Sequence, residues 1–211
     1  MNNKKILYIA LAAIAVIVAV IVVVFAGGNN TTNTTTTTQK PVEELSYKSS
    51  VELLTQILDS YNATAPEEEQ LWLCGGNIFN FETTSWDSPA KFIALEDSDF
   101  DANLGYPTAD VSKQDDAASM FNMQNANLFT SYAVHFKNSS DVDAMVNAIK
   151  DNILARLWEC GRPEKLYIVK CPGDYLVVTW GVATYGGVVV PFANSIVNNI
   201  EGATIIVEAD I

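Results

Sequence analysis

Acidic side chains crowd one short stretch, EDSDFDANLG, which begins at Glu96. Hard cations such as Ca²⁺ bind six to eight oxygen ligands, and alternate aspartate and asparagine residues in a loop supply them. Counted from the first aspartate of the pattern, positions 1, 3, 5 and 12 are Asp99, Asp101, Asn103 and Asp110. The glycine needed at position 6 stands one residue late, and the last ligand is aspartate rather than glutamate. We interpret the stretch as a solvated acidic loop between two elements, with a calcium site at these four residues as the alternative.

Other side chains that carry chemistry are few. His135 is the only histidine, so a histidine-rich zinc site is excluded, and the three cysteines lack the CxxC spacing of a cysteine-based site. The sequence has no P-loop, and its glycine pairs lack the strand–GxGxxG–helix context of dinucleotide binding. A pair of carboxylates for glycoside hydrolysis stays open, because their separation depends on the fold. We therefore assign no catalytic residue and no cofactor other than calcium.

The three cysteines are Cys74, Cys160 and Cys171. In an exported protein a disulfide is plausible. Cys160 should end a helix and Cys171 a neighbouring strand, so we predict that these two form a disulfide. Cys74 is then a buried thiol or an intermolecular link, and an anaerobic host would keep all three cysteines reduced.

The four tryptophans, with several tyrosines, suggest a face that binds sugar or peptide. They are Trp72, Trp86, Trp158 and Trp180. Trp72 and Trp158 stand beside leucines near predicted helix ends, where burial is the commoner outcome. We therefore expect the tryptophans to belong to the core rather than to a cleft.

An uncharged apolar run, ILYIALAAIAVIVAVIVVVFA, covers residues 6–26. A helix of this length is roughly 31 Å long, close to the ~30 Å hydrocarbon thickness of a bilayer. Two lysines precede the run and no basic residue follows before Lys40, so the positive-inside rule places residues 1–5 in the cytoplasm and the rest outside. We predict a retained, single-pass signal anchor. The alternative is a signal peptide cleaved after Ala26, although secretory apolar regions are usually shorter.

Threonine and asparagine dominate residues 27–41. Without apolar neighbours such residues cannot bury enough surface to offset the entropy of ordering, so we expect a disordered, solvated stalk. Five asparagines begin an N-x-[ST] pattern and are candidate glycan acceptors if the host has the enzymes, although a polar tract produces such triplets by chance. They are Asn29, Asn30, Asn33, Asn62 and Asn138.

The exported part is strongly acidic. All 25 acidic residues but only 10 of the 12 basic residues follow the anchor, which gives a formal charge of −15. Nucleic acids and anionic lipid headgroups attract positive protein surfaces, so neither is an expected partner. Apart from the bilayer around residues 6–26, the expected partner is an envelope protein or glycan.

Residues 42–211 are long enough for one domain with its own core. Apolar spacing predicts a helix from Ser49, SSVELLTQILDSYN, and a second in APEEEQLWLCGG, where Pro66 suits the first turn. TSYAVHFK alternates as a strand does, and its aromatic side chains face away from His135. A capped helix follows from Ser140, with Asp143 completing a capping box.

Two strands come next, KLYIVKC and YLVVTWG, joined by a Cys-Pro-Gly-Asp turn that suits an antiparallel hairpin. The tail predicts a short helix in PFANSIVNNIEG and a last strand in ATIIVEADI, whereas residues 78–128 show no clear period. Short antiparallel strands with helices packed on one face predict an α+β domain.

Residues 130–200 resemble a family of uncharacterised, membrane-attached exported domains of gut-dwelling clostridia. The resemblance rests on YAVHFKNSSDVDAMVNAIKDNI and PGDYLVVTWG and covers about a third of the chain. This chain departs from the family in lacking a lipid-attachment cysteine and in having an additional final strand. The resemblance implies an exported location and a fold, and it brings no catalytic residue.

Together these features favour a membrane-anchored extracytoplasmic module that binds an unknown ligand or partner. The alternatives are an exported carboxylate- or metal-dependent hydrolase that acts on cell-envelope polymer, and a structural subunit of an envelope assembly. A hydrolase requires two carboxylates that converge in a pocket, at least one of them with a raised pKa. An interaction module requires an exposed apolar or aromatic patch.

Overall fold

The computed structural model describes residues 45–184 and 186–211. The predicted cytoplasmic N-terminus, anchor and stalk lie outside these residues, as do Asn29, Asn30 and Asn33. The helices are α1 (Ser50–Asn62), α2 (Ser98–Leu104), α3 (Ser139–Ala155) and α4 (Val189–Asn199). The strands are β1 (Leu73–Gly75), β2 (Ala90–Lys91), β3 (Gln114–Asn122), β4 (Phe129–Phe136), β5 (Lys165–Cys171), β6 (Tyr175–Gly181) and β7 (Thr204–Asp210). Within the described ranges, no helix has both the length and the apolar character to span a bilayer.

The seven strands form one sheet in the order β1-β3-β4-β6-β5-β7, and β2 pairs with β3 beyond the end of β1. Every pairing is antiparallel. The predicted α+β class with an antiparallel sheet is therefore confirmed.

Helices cover both faces of the sheet, so the prediction that they pack on one face is wrong. On the first face, Ala133, Val169 and Val177 share a core with α1 and α4. On the second face, their strand neighbours, which include Tyr132, Ile168 and Val178, share a separate core with α2 and α3. The domain is a three-layer sandwich with the sheet in the middle.

The order of the strands explains why the helices divide. Helix α3 connects β4 to β5 across β6, and α4 connects β6 to β7 across β5. Each connection joins two strands that run in the same direction. Both connections also move along the sheet toward the β7 edge. Because β4 and β6 are antiparallel, the two crossovers have the same hand only if their helices lie on opposite faces. Crossovers between parallel strands are nearly always right-handed, and this preference explains why the two helices lie on opposite faces.

The helix starts depend on short polar contacts. In α1 the predicted serine cap is confirmed, since the Ser49 hydroxyl accepts a hydrogen bond from the Glu52 N–H at 3.2 Å. In α3 the predicted capping box does not form. The cap is Asn138, and its side-chain amide donates to the Asp141 carboxylate at 3.1 Å instead of accepting from a backbone N–H.

The helix predicted in APEEEQLWLCGG is wrong. Only Glu67–Glu69 form one turn of 3₁₀ helix, and the chain then enters β1. Leu71 and Leu73 pack into the first-face core with one residue between them, which is strand periodicity. Pairing of β1 with β3 overrides the helix-start signal, because it buries these leucines and supplies their backbone partners.

Strand β7 is the far edge of the sheet and carries a bulge. Its pairing with β5 shifts between Ile168 and Val169, which face Val207 and Ile205 respectively. Ile206 is the extra residue and has no partner on β5. Two acidic residues follow, Glu208 and Asp210, and both pair with Lys165 of β5.

Candidate functional site

Large apolar side chains are exposed along one segment near the β1 edge. Of those that are exposed among the described residues, six lie between residues 72 and 95. We call this set the aromatic surface; it consists of Trp72, Phe79, Phe81, Trp86, Ile93 and Leu95. Exposed apolar groups that are concentrated in one part of a protein surface commonly mark an interaction site.

Trp72 is exposed because of the strand that it precedes. The Trp72 carbonyl accepts from the Met123 N–H at 2.9 Å, which continues the β1–β3 pairing. Leu73 points into the first-face core, so alternation directs Trp72 to the other side. There, at the edge of the sheet, 70 % of its surface is exposed.

The expectation that the tryptophans belong to the core holds for one of them. Trp180 is buried on β6, and Trp158 packs partly buried against it with ring centroids 5.8 Å apart. Trp72 and Trp86 belong to the aromatic surface. Trp86 follows Ser85, which bridges to Gly75 on the outer side of β1 through two backbone hydrogen bonds of 2.9 Å.

Asn77 organises the loop that displays the aromatic surface. Its side chain is fully buried; the amide donates to the Ile93 carbonyl at 3.1 Å and to the Asp99 carboxylate at 2.7 Å, and the amide oxygen accepts from the Phe79 N–H at 2.9 Å. The Asn77 carbonyl accepts from the Thr84 hydroxyl. These contacts tie both ends of the loop together, so the exposed rings are held in place by a buried polar centre.

Asp99 links this loop to α2. One carboxylate oxygen accepts from Asn77 and from the Leu95 N–H, both at 2.7 Å. Burial acts to raise the pKa of Asp99, but the hydrogen bonds from Leu95 and Asn77 outweigh it and hold the pKa below its ordinary value. Asp99 is therefore an anion that stabilises the loop, which is the opposite of a general acid.

Exposed carboxylates stand beside the exposed apolar groups. Glu82 follows Phe81, Asp87 follows Trp86, and Glu96 with Asp97 follows Leu95; all four acids are exposed. Within the described part of the chain, none of the four lies within ion-pair distance of a basic group. The nearby Lys91 pairs instead with Asp116, at 3.7 Å. The aromatic surface thus combines apolar faces with uncompensated negative charge.

Two depressions adjoin the aromatic surface. One, of about 540 Å³, is lined by Phe79, Leu95 and Ala102 among others. The second, of about 360 Å³, lies beside β1, and its lining includes Leu71 and Leu128. Both volumes exceed that of one large side chain, so a partner that covers the aromatic surface has space for its own side chains.

Glu164 holds the chain shortly before Gly186 and Gly187, which help to line the smaller depression. Its carboxylate accepts from the Ala183 and Thr184 N–H groups at 2.8 and 2.9 Å and from the Thr184 hydroxyl at 2.8 Å. The Thr184 hydroxyl and the Ala183 N–H lower the pKa of Glu164. Glu164, like Asp99, is an anion with a structural role.

The side-chain oxygens of the four candidate calcium ligands have separate protein partners, and the one contact within the set is the Asn103 amide, which donates to the Asp99 carbonyl at 2.9 Å. Asp99 binds Asn77, Asp101 accepts from Asn152, Asn103 accepts from the Ile78 N–H, and Asp110 pairs with Lys113. Residues 98–104 form α2, where alternate side chains point in different directions. Among the residues that the structure describes, no three His, Cys, Asp or Glu side chains gather as metal ligands would. The calcium site stays a prediction without geometric support.

His135 lies on the first face, away from the aromatic side of β4, as the alternation predicts. A bulge in β3 leaves Asp115 without a partner on β4, and His135 Nδ1 lies 2.5 Å from the Asp115 carboxylate. Its ring packs on Tyr175, with centroids 4.6 Å apart. The bulge re-aims an aspartate onto the histidine, as bulges commonly do, and the pair holds this end of the sheet.

The cysteines contradict the predicted disulfide between Cys160 and Cys171. All three thiols are free; Cys160 is exposed, and Cys74 and Cys171 are buried. Cys160 precedes β5 and Cys171 is its last residue, so the strand separates them by roughly 20 Å. A disulfide requires Cα atoms within about 7 Å. The predicted strand KLYIVKC itself lies between the two cysteines and keeps them apart.

Two candidate glycan acceptors fall within the described residues. Asn138 is exposed at the start of α3, and Asn62 is the last residue of α1 and only half-exposed. Glycosylation at either position stays a prediction, and Asn138 offers the more accessible amide.

Little in the amino-acid sequence indicated the aromatic surface. Phe79, Phe81 and Leu95 lie in the part of the chain without a clear period, where exposed and buried apolar residues look alike. An acid directly after an apolar residue is no signal either, because the buried Leu58 and Phe100 are also each followed by one.

Known proteins give no further guidance. Comparison with protein-family models finds no match, and comparisons with curated proteins and with solved structures find none either. The resemblance to exported clostridial domains therefore stays a prediction, and the functional argument rests on the geometry of this chain.

Proposed function

We propose that this protein is a membrane-anchored, extracytoplasmic interaction module that binds its partner through the aromatic surface. The observation that carries the proposal is the exposure of six large apolar side chains between residues 72 and 95. Trp72 stands beside β1, and the other five lie on the loop that Asn77 and Asp99 hold in place. Exposing such groups has a free-energy cost of about 25 cal/mol per Å², and a partner that covers them recovers it.

The location follows from the apolar run. Residues 6–26 are the proposed single-pass anchor, with residues 1–5 in the cytoplasm, and residues 27–41 are the proposed stalk that carries the domain away from the bilayer. A stalk of this kind lets a small domain reach a partner in the envelope without a rigid attachment.

Site-specific photo-crosslinking tests the proposed function. A photoreactive amino acid replaces Phe81 or Trp86 in the full chain, expressed in the cells that make it, and irradiation should produce a discrete adduct. The control places the same group at Leu157, which is 92 % exposed but lies outside the aromatic surface. Adducts at Phe81 and Trp86 but not at Leu157 support the proposal, whereas equal or absent adducts at all three positions overturn it.

A further inference from the structure

We infer that the partner of the aromatic surface is a positively charged polypeptide segment, in which several lysine or arginine residues alternate with apolar ones. This inference rests on the proposed function and names the chemistry of the partner. It depends on the charge of the surface, on the position of that charge beside the rings, and on the rigidity of the loop.

The charge of this part of the chain is strongly one-sided. Between residues 67 and 97 the sequence has seven acidic residues and one basic residue. The basic residue, Lys91, is drawn to Asp116, so it does not neutralise the acids of the loop. Such a surface attracts cationic groups over a distance of about 10 Å at moderate salt and repels anionic polymers.

The order of residues places each charge next to an apolar group. Three exposed apolar residues are each followed directly by an exposed acid: Phe81 by Glu82, Trp86 by Asp87, and Leu95 by Glu96. Lysine and arginine match such a pair, because their alkyl stems lie along apolar surface while the charged head reaches a carboxylate. An aromatic face adds a cation–π attraction, and this chain uses one itself where Arg156 lies 5.0 Å from the centre of the Trp158 ring.

Other ligand classes fit less well. A neutral glycan can stack on the rings, but it offers no charge to the four carboxylates. A single cation gains too little, because one exposed ion pair changes affinity by at most about fivefold. Several pairs must act together, which requires a chain with repeated basic groups.

The loop presents these pairs in a fixed arrangement. The buried side chains of Asn77 and Asp99 join residues 79, 93 and 95 through hydrogen bonds, so binding does not require the loop to order first. The depression between Phe79 and Leu95 accepts an apolar side chain of the partner.

The full chain in nanodiscs of zwitterionic lipid, with empty nanodiscs as the blank, provides the test. The probe is a fluorescent peptide in which lysines alternate with phenylalanine and glycine, and a second peptide has glutamine at every lysine. Fluorescence anisotropy should show that the lysine peptide binds at least about tenfold more tightly and that this affinity falls as salt screens the pairs.

Two variants with the same net charge locate the effect. The first carries Glu82→Gln, Asp87→Asn, Glu96→Gln and Asp97→Asn, and it should lose at least about tenfold in affinity for the lysine peptide. The second changes four exposed acids elsewhere, Asp59→Asn, Asp151→Asn, Glu159→Gln and Glu201→Gln, and it should bind within about twofold of the unchanged chain.

Four results would overturn the inference. Equal losses in the two variants would show attraction to the whole acidic domain rather than to this surface. Equal affinity for the lysine and glutamine peptides, or binding of neutral envelope oligosaccharides that survives the first variant, would assign the surface to an uncharged ligand. Failure of the lysine peptide to bind, together with adducts at Phe81 and Trp86, would refute the basic partner and leave the proposed function standing.

Discussion

Asn77 and Asp99 hold the loop that carries the aromatic surface, and each is buried with its hydrogen-bonding groups engaged. A buried carboxylate is costly unless it is fully paired. Here the cost is met by donors from Asn77 and Leu95, so the loop and α2 are linked through one charged group. Through this link, Asn77 and Asp99 determine where the exposed groups of the loop stand.

Replacement of Asp99 by asparagine should lower the free energy of unfolding by about 1–3 kcal/mol at pH 7, because charge-assisted hydrogen bonds become neutral ones and a second amide faces the Leu95 N–H. Urea denaturation followed by tryptophan fluorescence measures the change. The exposed Asp97→Asn is the control and should shift it by less than about 0.5 kcal/mol.

The same replacement should change the response to acid. The folded-state pKa of Asp99 is lowered, below an unfolded value of about 3.9. Its contribution to stability is therefore complete above that pH and is lost as the pH falls through the folded pKa. The unchanged chain should lose more stability than Asp99→Asn between pH 7 and pH ~3; parallel losses would show that the carboxylate gains nothing from its partners.

The cysteines make a separate prediction at this scale. Burial raises the pKa of Cys171 to about 12 and also raises that of Cys74, and both are shielded from reagents. Alkylation of the native protein at pH 8 without reductant should label Cys160 alone, and unfolding should add the other two. Mass spectrometry counts the labels, and fewer than three after unfolding would reveal a disulfide.

At the scale of elements, the caps and the crossovers decide what forms where. The Ser49 cap satisfies a backbone donor at the start of α1, and Glu52 reaches back to the Lys48 N–H at 2.7 Å. In a capping box the glutamate would accept from the N–H of the cap residue, whereas here it accepts from the residue before the cap. The two contacts fix the start of the first helix above the first face, where α1 and α4 together cover the sheet.

Ser49→Ala should cost about 1 kcal/mol of stability, because the Glu52 N–H loses its acceptor. Thermal unfolding by circular dichroism reports the loss as a lower melting temperature. Ser60→Ala, within the same helix, is the matched control, and it should be neutral or slightly stabilising since alanine has the higher helix propensity. A loss of the same size in both variants would argue against the cap.

Elements with a clear period were predictable from the sequence. Helix α1, strand β4, helix α3, the β5–β6 hairpin, helix α4 and strand β7 all appear close to their predicted positions, because one face of each is apolar along its whole length. The start of α3 was predicted two residues late, at Ser140 instead of Asn138, because serine and asparagine are both suitable cap residues.

The stretch between residues 66 and 122 was not predictable, and it contains the candidate site. Strand β3 reads QDDAASMFN, where small residues fit beneath helices on both faces and give no alternation. Helix α2 has the composition of a solvated acidic loop. Its two large apolar residues, Phe100 and Leu104, are buried, and this tertiary packing cannot be deduced from the local sequence. Strand β1 exists because β3 offers a partner, which is a tertiary effect that the local sequence does not contain.

At the scale of the whole molecule, the proposed topology sets the conditions for every other function. In that proposed topology, residues 6–26 are the anchor, and the two lysines before them favour an acidic domain outside the cell. The exported part carries a formal charge of −15, which favours solubility, and the aromatic surface places exposed apolar groups within that acidic exterior.

Protease added to intact cells should remove the domain and leave a short anchored fragment that an N-terminal epitope tag detects. The Thr/Asn-rich stalk is the expected cleavage region, because the folded domain protects its own backbone. The control is a cytoplasmic protein, which should stay intact until the cells are lysed. Resistance of the domain in intact cells would invert the topology and refute the surface location.

The bulge at Ile206 has a consequence for crowding. If the proposed anchor confines many copies to one plane, the free rim of each sheet meets that of its neighbours far more often than in dilute solution. A straight, fully regular rim would template strand exchange and lead to fibrous growth. The extra residue in β7 breaks the spacing of the outward N–H and C=O groups, and the acids after it repel a second identical rim. Neighbouring copies can therefore be densely packed without exchanging edge strands.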